Sequence, residues 1–230
     1  MIITGATHGI GAAIARRFAQ EGFALCICAR QEQELDTIRT ELNKLGAAAV
    51  YTMPADLSNK ETALAFARFA LDSLGPVDIL VNNAGMFLPG DLCDEPEGQL
   101  EQMMQLNVYA AYAITRGVVP GMKQRKSGHI FNMCSVASLK AYPQGGSYSI
   151  SKYALLGFSD NLREELKLHH IKVTALCPGA TYSRSWQSSG VAEERMIPAS
   201  DIAELVWTSY KLSAGTDLET IVVRPQFGDL

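Results

Sequence analysis

The chain has 230 residues, 19% of them charged, and a formal net charge of -4. That length can bury a full core and suits one domain, while the charge balance gives no electrostatic case for nucleic acid or an anionic membrane as partner. No apolar run approaches the ~20 residues of a membrane span, and the opening stretch 1–5 has neither the basic nor the long apolar region of a signal peptide.

In chain order, short and nearly continuous apolar runs alternate with longer runs of helical period. Strands are predicted at 1–4, 23–29, 48–53, 77–82, 129–134, 171–177 and 219–224. Runs such as Val77-Asp78-Ile79-Leu80-Val81 suit a parallel sheet buried on both faces. The first helix carries Ile10, Ala13, Ile14 and Phe18 as a sheet-facing stripe, with Gly22 placed for its C-terminal cap. Further helices are predicted over 31–45, 60–74, 99–124, 148–168 and 201–213, which gives a doubly wound α/β fold of Rossmann type. The stretch 181–198 is rich in Ser and Gly and departs from this patterning. Its place after a strand end favours a substrate loop over a plain surface loop. Of five cysteines, none in a CxxC, Cys26, Cys28 and Cys177 fall in strand-like runs. They read as buried thiols of a reducing compartment, so a cytoplasmic protein is expected.

Thr4-Gly5-Ala6-Thr7-His8-Gly9-Ile10-Gly11 joins the first strand to the first helix. Glycines there let the backbone approach a pyrophosphate, to which the helix start presents its N–H groups and the positive end of its dipole. Gly11 is expected to let the helix pack close to the sheet. The second strand ends Cys28-Ala29-Arg30, without a carboxylate at Ala29 for an adenine ribose. Arg30 is either a solvated arginine or the guanidinium that holds a 2′-phosphate; the missing carboxylate favours the latter, and NADP(H) over NAD(H). Tyr148 and Lys152 stand one turn apart on one helical face, where an ammonium should lower the phenol's pKa. Alone, such a pair is commonly an ordinary surface pair.

The order of these motifs resembles the short-chain dehydrogenase/reductase family. The residues that carry the resemblance are the glycine turn, Asp56-Leu57, Asn82-Asn83-Ala84-Gly85, Asn107, Ser135, Tyr148 with Lys152, and Pro178-Gly179. The combination of NNAG, a serine 13 residues before the tyrosine and YxxxK is the specific part. The resemblance implies a catalytic set of Asn107, Ser135, Tyr148 and Lys152. It implies that Gly5, Thr7, His8, Gly9, Ile10 and Gly11 cradle the cofactor phosphates, that Asp56 reaches the adenine amine and that Leu57 lines its pocket. Asn82 should stabilise the central strand, while Asn83, Ala84 and Gly85 give close contact to the cofactor. Lys152 should hold the nicotinamide ribose, Asn107 a water of a proton relay, and Pro178, Gly179, Thr181 and Ser183 should lie near the carboxamide. No metal is implied, and no HExxH or cysteine pair suggests one. A serine-hydrolase reading is poorer, because no GxSxG surrounds Ser135 and none of the four histidines is linked to it.

The expected reaction is reduction of a small, largely apolar ketone or aldehyde, with Met86, Phe87, Ala137, Leu139, Tyr142, Tyr182 and Trp186 as pocket candidates. Two alternatives stay open: a 3-oxoacyl-acyl-carrier-protein reductase and a non-catalytic nucleotide-binding or scaffold protein. The first is weakened by the C-terminal run into Arg224-Pro225, which lacks the glycine pair usual after the final strand of those enzymes. The second is weakened by the intact catalytic set. The family resemblance further implies a homodimer or homotetramer built on the helices at 99–124 and 148–168.

Overall fold

The computed structural model describes residues 1–183 and 190–229. Seven parallel strands form one sheet: β1 (Ile2–Thr4), β2 (Ala24–Ala29), β3 (Ala49–Pro54), β4 (Ile79–Asn82), β5 (Gly128–Met133), β6 (Ile171–Pro178) and β7 (Thr220–Val223). Their order is β3-β2-β1-β4-β5-β6-β7, the doubly wound arrangement expected from the alternating sequence. The chain reverses its direction of travel across the sheet between β1 and β4, so the turns leaving these two strands open a crevice at their carboxyl ends.

The inner strands are mostly apolar and buried because they face two layers, while β3 and β7 at the sheet edges are partly exposed. Ile3, Ile27, Val81, Phe131 and Leu176 point to one side, under α1 (Gly9–Gln20), α2 (Glu32–Leu45) and α7 (Ala199–Lys211). Ile2, Cys26, Cys28, Leu80, Ile130 and Val173 point to the other, under α3 (Lys60–Leu74) and α5 (Ala110–Arg125). Fully burying such side chains contributes roughly 1.5–3 kcal/mol each before the entropy cost of ordering them. Edge-to-face packing of Phe18 on Phe23 and on Trp207 ties α1 to α7.

The helix predicted over 99–124 is three pieces. α4 (Gln99–Met104) passes into a π-helical turn at Gln105–Tyr109 before α5 begins, with the Ala110 N–H bonded to the Gln105 carbonyl. Apolar periodicity does not register the one extra residue of a π turn, and such turns gather at functional sites. Asn107 lies inside it. The helix α6 (Gly146–Leu166) starts two residues earlier than predicted and carries Tyr148 in its first turn.

The region 181–198 is stapled at both described ends. Thr181 bridges Ile197, the Tyr182 N–H donates to the Ile197 carbonyl at 3.0 Å, and Ile197 belongs to the core beneath α7. Ile197, expected in a loop closing over substrate, is therefore a core residue, and Met196 is buried beside it in the chain. Trp186, expected as a pocket wall or loop anchor, lies outside the described residues.

Candidate active site

The glycine turn takes its shape from positive backbone angles and close approach. Gly5 (φ +64) and Gly9 (φ +52) occupy the left-handed region that favours glycine. A Cβ on Gly11 would lie 2.3 Å from the Gly5 carbonyl oxygen and 2.5 Å from Asn83 Nδ2. Gly11 thus permits the turn to fold back on itself, a closer constraint than the helix-to-sheet packing expected of it. Among the described residues, α1 starts with no side-chain cap from His8 and no acid in its first turn. The positive end of the helix dipole favours an anion there.

Asn83 holds this turn rather than lining a groove. Its Nδ2 donates to the carbonyls of Thr4 and Gly5, each at 2.9 Å. Thr4 Oγ1 in turn accepts from the N–H groups of Asn83 and Ala84, also at 2.9 Å. The ends of β1 and β4 are locked together across the crevice by Thr4, a residue the sequence motifs name only as the edge of the glycine turn. Asn82 sits deeper, donating to Thr115 Oγ1 and Asn132 Oδ1, which fits its expected role in the central strand.

At the adenine side, Arg30 is exposed after β2. Asp56 accepts from the Ser58 N–H at 3.0 Å and the Ser58 hydroxyl at 2.7 Å. These bonds, with a smaller contribution from the Arg30 charge, hold its carboxyl below the ordinary range. Leu57 is buried in the α3-side core. Ile10 likewise packs on the α1-side core. Glu34, on the first turn of α2, was not singled out by the sequence. Its carboxylate accepts from Thr7 Oγ1 at 3.2 Å and meets His8 Nε2 at 2.9 Å. Only its place one turn after Arg30 on the same strand-to-helix connection could have pointed to it.

The catalytic candidates converge at the ends of β4 and β5. Ser135 caps a short 3-10 turn, Val136–Ser138, and accepts from the Ala137 N–H at 3.1 Å. Its hydroxyl lies near enough to the Tyr148 phenol to favour the ionised form of that group. Lys152 Nζ donates to the Met133 carbonyl at 2.8 Å and stands 5.7 Å from the centre of the Tyr148 ring. Gly85 makes room for this group: a Cβ there would be 3.1 Å from Asn107 Oδ1 and 3.4 Å from Lys152 Nζ.

The electrostatics correct one expectation. Burial pushes the Tyr148 phenol up from its ordinary value, and the nearby Ser135 hydroxyl only partly opposes this. The lowering expected from Lys152 is not among the causes, and the ammonium donates to the Met133 carbonyl. Burial also lowers the Lys152 ammonium, against the stabilising influence of Cys134 and Cys177 nearby. Asn107 is likewise more committed than a water-holding amide need be. Its Nδ2 donates to the Met86 carbonyl at 3.0 Å and to Ser151 Oγ at 2.9 Å, while Oδ1 accepts from the Met86 N–H at 2.8 Å. Both amide hydrogens are used, which leaves one lone pair of Oδ1 to face the space beside Lys152.

Beyond β6, Gly179 pairs with Val223, and Thr181 Oγ1 donates to the Gly179 carbonyl at 3.0 Å. Pro178 closes the strand. Ser183, expected near the carboxamide, packs against Gly9: a Cβ on that glycine would meet Ser183 Cβ at 3.2 Å. It therefore stands beside the glycine turn.

Phe87 packs edge-on against Tyr148 with ring centres 4.9 Å apart. Phe87, Leu92, Leu139 and Tyr142 are all exposed. Although part of the Tyr142 side chain is exposed, its phenol is pushed up to about 12, chiefly by partial desolvation and then by the nearby Tyr148 phenol. A cavity of about 690 Å³ touches the glycine turn at His8 and Gly9, and another of about 450 Å³ lies along the outer flank of α6. Neither is walled by Ser135, Tyr148 or Lys152. Among the described residues no group of three or more His, Cys, Asp and Glu side chains could hold a metal ion. No described helix is long and apolar enough to cross a membrane.

Known proteins are similar to this chain over nearly its whole length. The sepiapterin reductase of Chlorobaculum tepidum is 31% identical over 238 aligned residues, covering 100% of this chain and 97% of its own. A metagenomic short-chain oxidoreductase solved with NADP is 30% identical at a TM-score of 0.84, covering 98% and 96%. An alcohol dehydrogenase from Thermococcus sibiricus, solved with 5-hydroxy-NADP, is 27% identical at a TM-score of 0.91, covering 100% and 97%. The sequence profile of the short chain dehydrogenases matches residues 1–194, the span that holds the glycine turn, NNAG, Ser135, Tyr148 and Lys152. By that match and by its sheet, this chain belongs to the short-chain dehydrogenase/reductase family.

Proposed function

We propose that the chain is an NADP(H)-dependent oxidoreductase that reduces the carbonyl of a small, largely apolar ketone or aldehyde. The observation that carries this reading is the convergence of Ser135, Tyr148 and Lys152 at the strand ends beside the glycine turn. The residues present fit a dinucleotide. Gly5, Gly9 and Gly11 leave a backbone cradle, with Ser183 beside Gly9, Thr7 and His8 in the turn, and Ile10 anchoring the turn to the core. Exposed Arg30 suits a 2′-phosphate, and the NADP-bound structures of two similar proteins support the same choice.

When bound, the reduced nicotinamide supplies a hydride to the carbonyl carbon. Tyr148 gives its phenolic proton to the carbonyl oxygen. A phenol kept protonated by burial is the form a reductase needs. Ser135 donates to the same oxygen and stabilises the negative charge that develops there. Lys152 holds its ammonium beside the Tyr148 ring, and its proton resupplies the phenol through the space it shares with Asn107 Oδ1. Phe87, Leu139 and Tyr142 give the approach an apolar and aromatic rim that favours an uncharged substrate. Exposed Tyr109, Tyr112, Ile150 and Tyr153 on the outer sides of the π turn, α5 and α6 suit self-association into a homodimer or homotetramer. Light scattering of the purified protein tests that assembly.

The reaction is tested by following NADPH and NADH oxidation against diketones, quinones, pterins and 3-oxoacyl thioesters. Turnover of a small ketone or aldehyde with NADPH is expected. Activity confined to carrier-linked thioesters contradicts the substrate class, and no nucleotide oxidation contradicts the enzyme.

A further inference from the structure

The helix α6 lacks a cap of its own. Gly145 precedes it and offers no side chain, and its first turn contains no acidic residue. The first N–H groups of any helix need partners from elsewhere, and here Tyr148 lies among them. The missing acceptor comes from Glu95, 52 positions upstream. Its Oε2 accepts from the Ser147 N–H at 3.3 Å, and its Oε1 accepts a short hydrogen bond from the Ser147 hydroxyl. Ser147 is fully buried, so this contact is shielded from solvent. A carboxylate at this position also lies at the favourable end of the helix dipole.

The surroundings are shaped for this approach. A Cβ on Gly146 would lie 2.6 Å from the Gly90 carbonyl oxygen and 2.7 Å from Glu95 Oε2, and one on Gly90 would lie 2.9 Å from Glu95 Cβ. Gly90 bridges Gly145 with its N–H on the Gln144 carbonyl at 3.1 Å, and Asp91 Oδ1 accepts from the Gln144 N–H at 3.1 Å. Gln99 donates to Glu95 Oε2 at 3.0 Å and to the Leu88 carbonyl at 3.3 Å, which orients the carboxylate. On the other side of Tyr148, Ser151 Oγ donates to the Tyr148 carbonyl and accepts from Asn107. Tyr148 is thus held between two fastenings, both anchored in the segment that follows NNAG.

We infer that Glu95 is a positioning residue: it caps the Tyr148 helix from a separate segment and so fixes the phenol relative to Ser135. This rests on the proposed role of Tyr148. The lever is geometric, since misplacing a reacting group by about 1 Å can cost on the order of 100-fold in rate.

The test compares Glu95→Ala, Glu95→Gln and Ser147→Ala by amide hydrogen exchange, NADPH affinity, kcat and KM. In Glu95→Ala, exchange at residues 147–149 should quicken by about tenfold or more while residues 155–166 keep their protection. Turnover should fall by roughly 10- to 100-fold with NADPH affinity changed by less than about twofold. Glu95→Gln, which keeps an acceptor oxygen, should recover most of the turnover. Should Glu95→Ala fail to fold, Ser147→Ala removes the hydroxyl contact alone and should show the same pattern in weaker form. Unchanged exchange at 147–149, or quickened exchange with unchanged turnover, overturns the inference. So does a parallel loss of NADPH affinity and turnover that glutamine fails to restore. If the unaltered protein turns over no carbonyl, the proposed reaction fails separately. Exchange and the isotope-labelled Tyr148 ring resonance then decide: a ring signal that Glu95→Ala leaves unmoved overturns the positioning role, and a shifted one supports it.

Discussion

Asn107 donates its side-chain amide to Ser151 Oγ at 2.9 Å, joining residues 44 positions apart. Because Ser151 passes the bond to the Tyr148 carbonyl and Asn107 also grips both backbone groups of Met86, one amide couples the π turn, the NNAG segment and the catalytic helix. Replacing Asn107 with Ala leaves several buried polar groups unpaired, at about 1–3 kcal/mol each. Asn107→Ala should therefore lower the melting temperature more than Ser151→Ala, and lower turnover with it. Equal stability of the two variants in thermal unfolding contradicts the coupling.

Gly11 is the tightest point of the nucleotide cradle. A methyl group at 2.3 Å from the Gly5 carbonyl must displace the turn or Asn83. Gly11→Ala should cost about 1–3 kcal/mol or more of stability and weaken NADPH binding, read by denaturant unfolding and nucleotide fluorescence. Wild-type affinity in this variant contradicts the assignment of the turn.

Arg30 should decide between the two dinucleotides. Loss of a charge-assisted contact to phosphate is worth roughly 1.5–3 kcal/mol. Arg30→Ala should accordingly bind NADP(H) tenfold or more weakly, by about that energy, and leave NAD(H) nearly unchanged in calorimetry. An equal loss for both cofactors contradicts the 2′-phosphate role.

His129 carries a predictable pH dependence of stability. It is buried against Phe131 and bonded to Thr174 Oγ1 at 2.8 Å; burial, and then the Lys172 charge, lower its pKa from 6.5 to about 3. Between those values the unfolded chain binds a proton that the folded chain refuses. Its contribution is thus full above pH 6.5 and is lost as the pH falls toward about 3. His129→Gln should flatten the stability curve in that window. An unchanged slope in denaturant titrations contradicts it.

Much of this architecture was legible in the sequence because it is written in local chemistry. The seven apolar runs became seven strands, and for the inner strands burial on both faces demands near-continuous hydrophobicity. The positive backbone angles of Gly5 and Gly9 follow from the glycine spacing. Other features depend on contacts between distant segments. The π turn at Asn107 breaks no pattern, the Thr4 to Asn83 clasp spans two strand ends, and Glu95 meets Ser147 only after the sheet is built. Helical spacing puts the Lys152 ammonium on the face of Tyr148, while its hydrogen bond to the Met133 carbonyl on β5 depends on the assembled sheet.

The central claim is that the Tyr148 phenol delivers the proton in carbonyl reduction, and Tyr148→Phe tests it most directly. On a substrate found in the NADPH oxidation screen, the variant should lose at least the roughly 100- to 10,000-fold that a general acid supplies, with NADPH affinity retained. A phenylalanine variant that binds NADPH normally and turns over at near the original rate would contradict it.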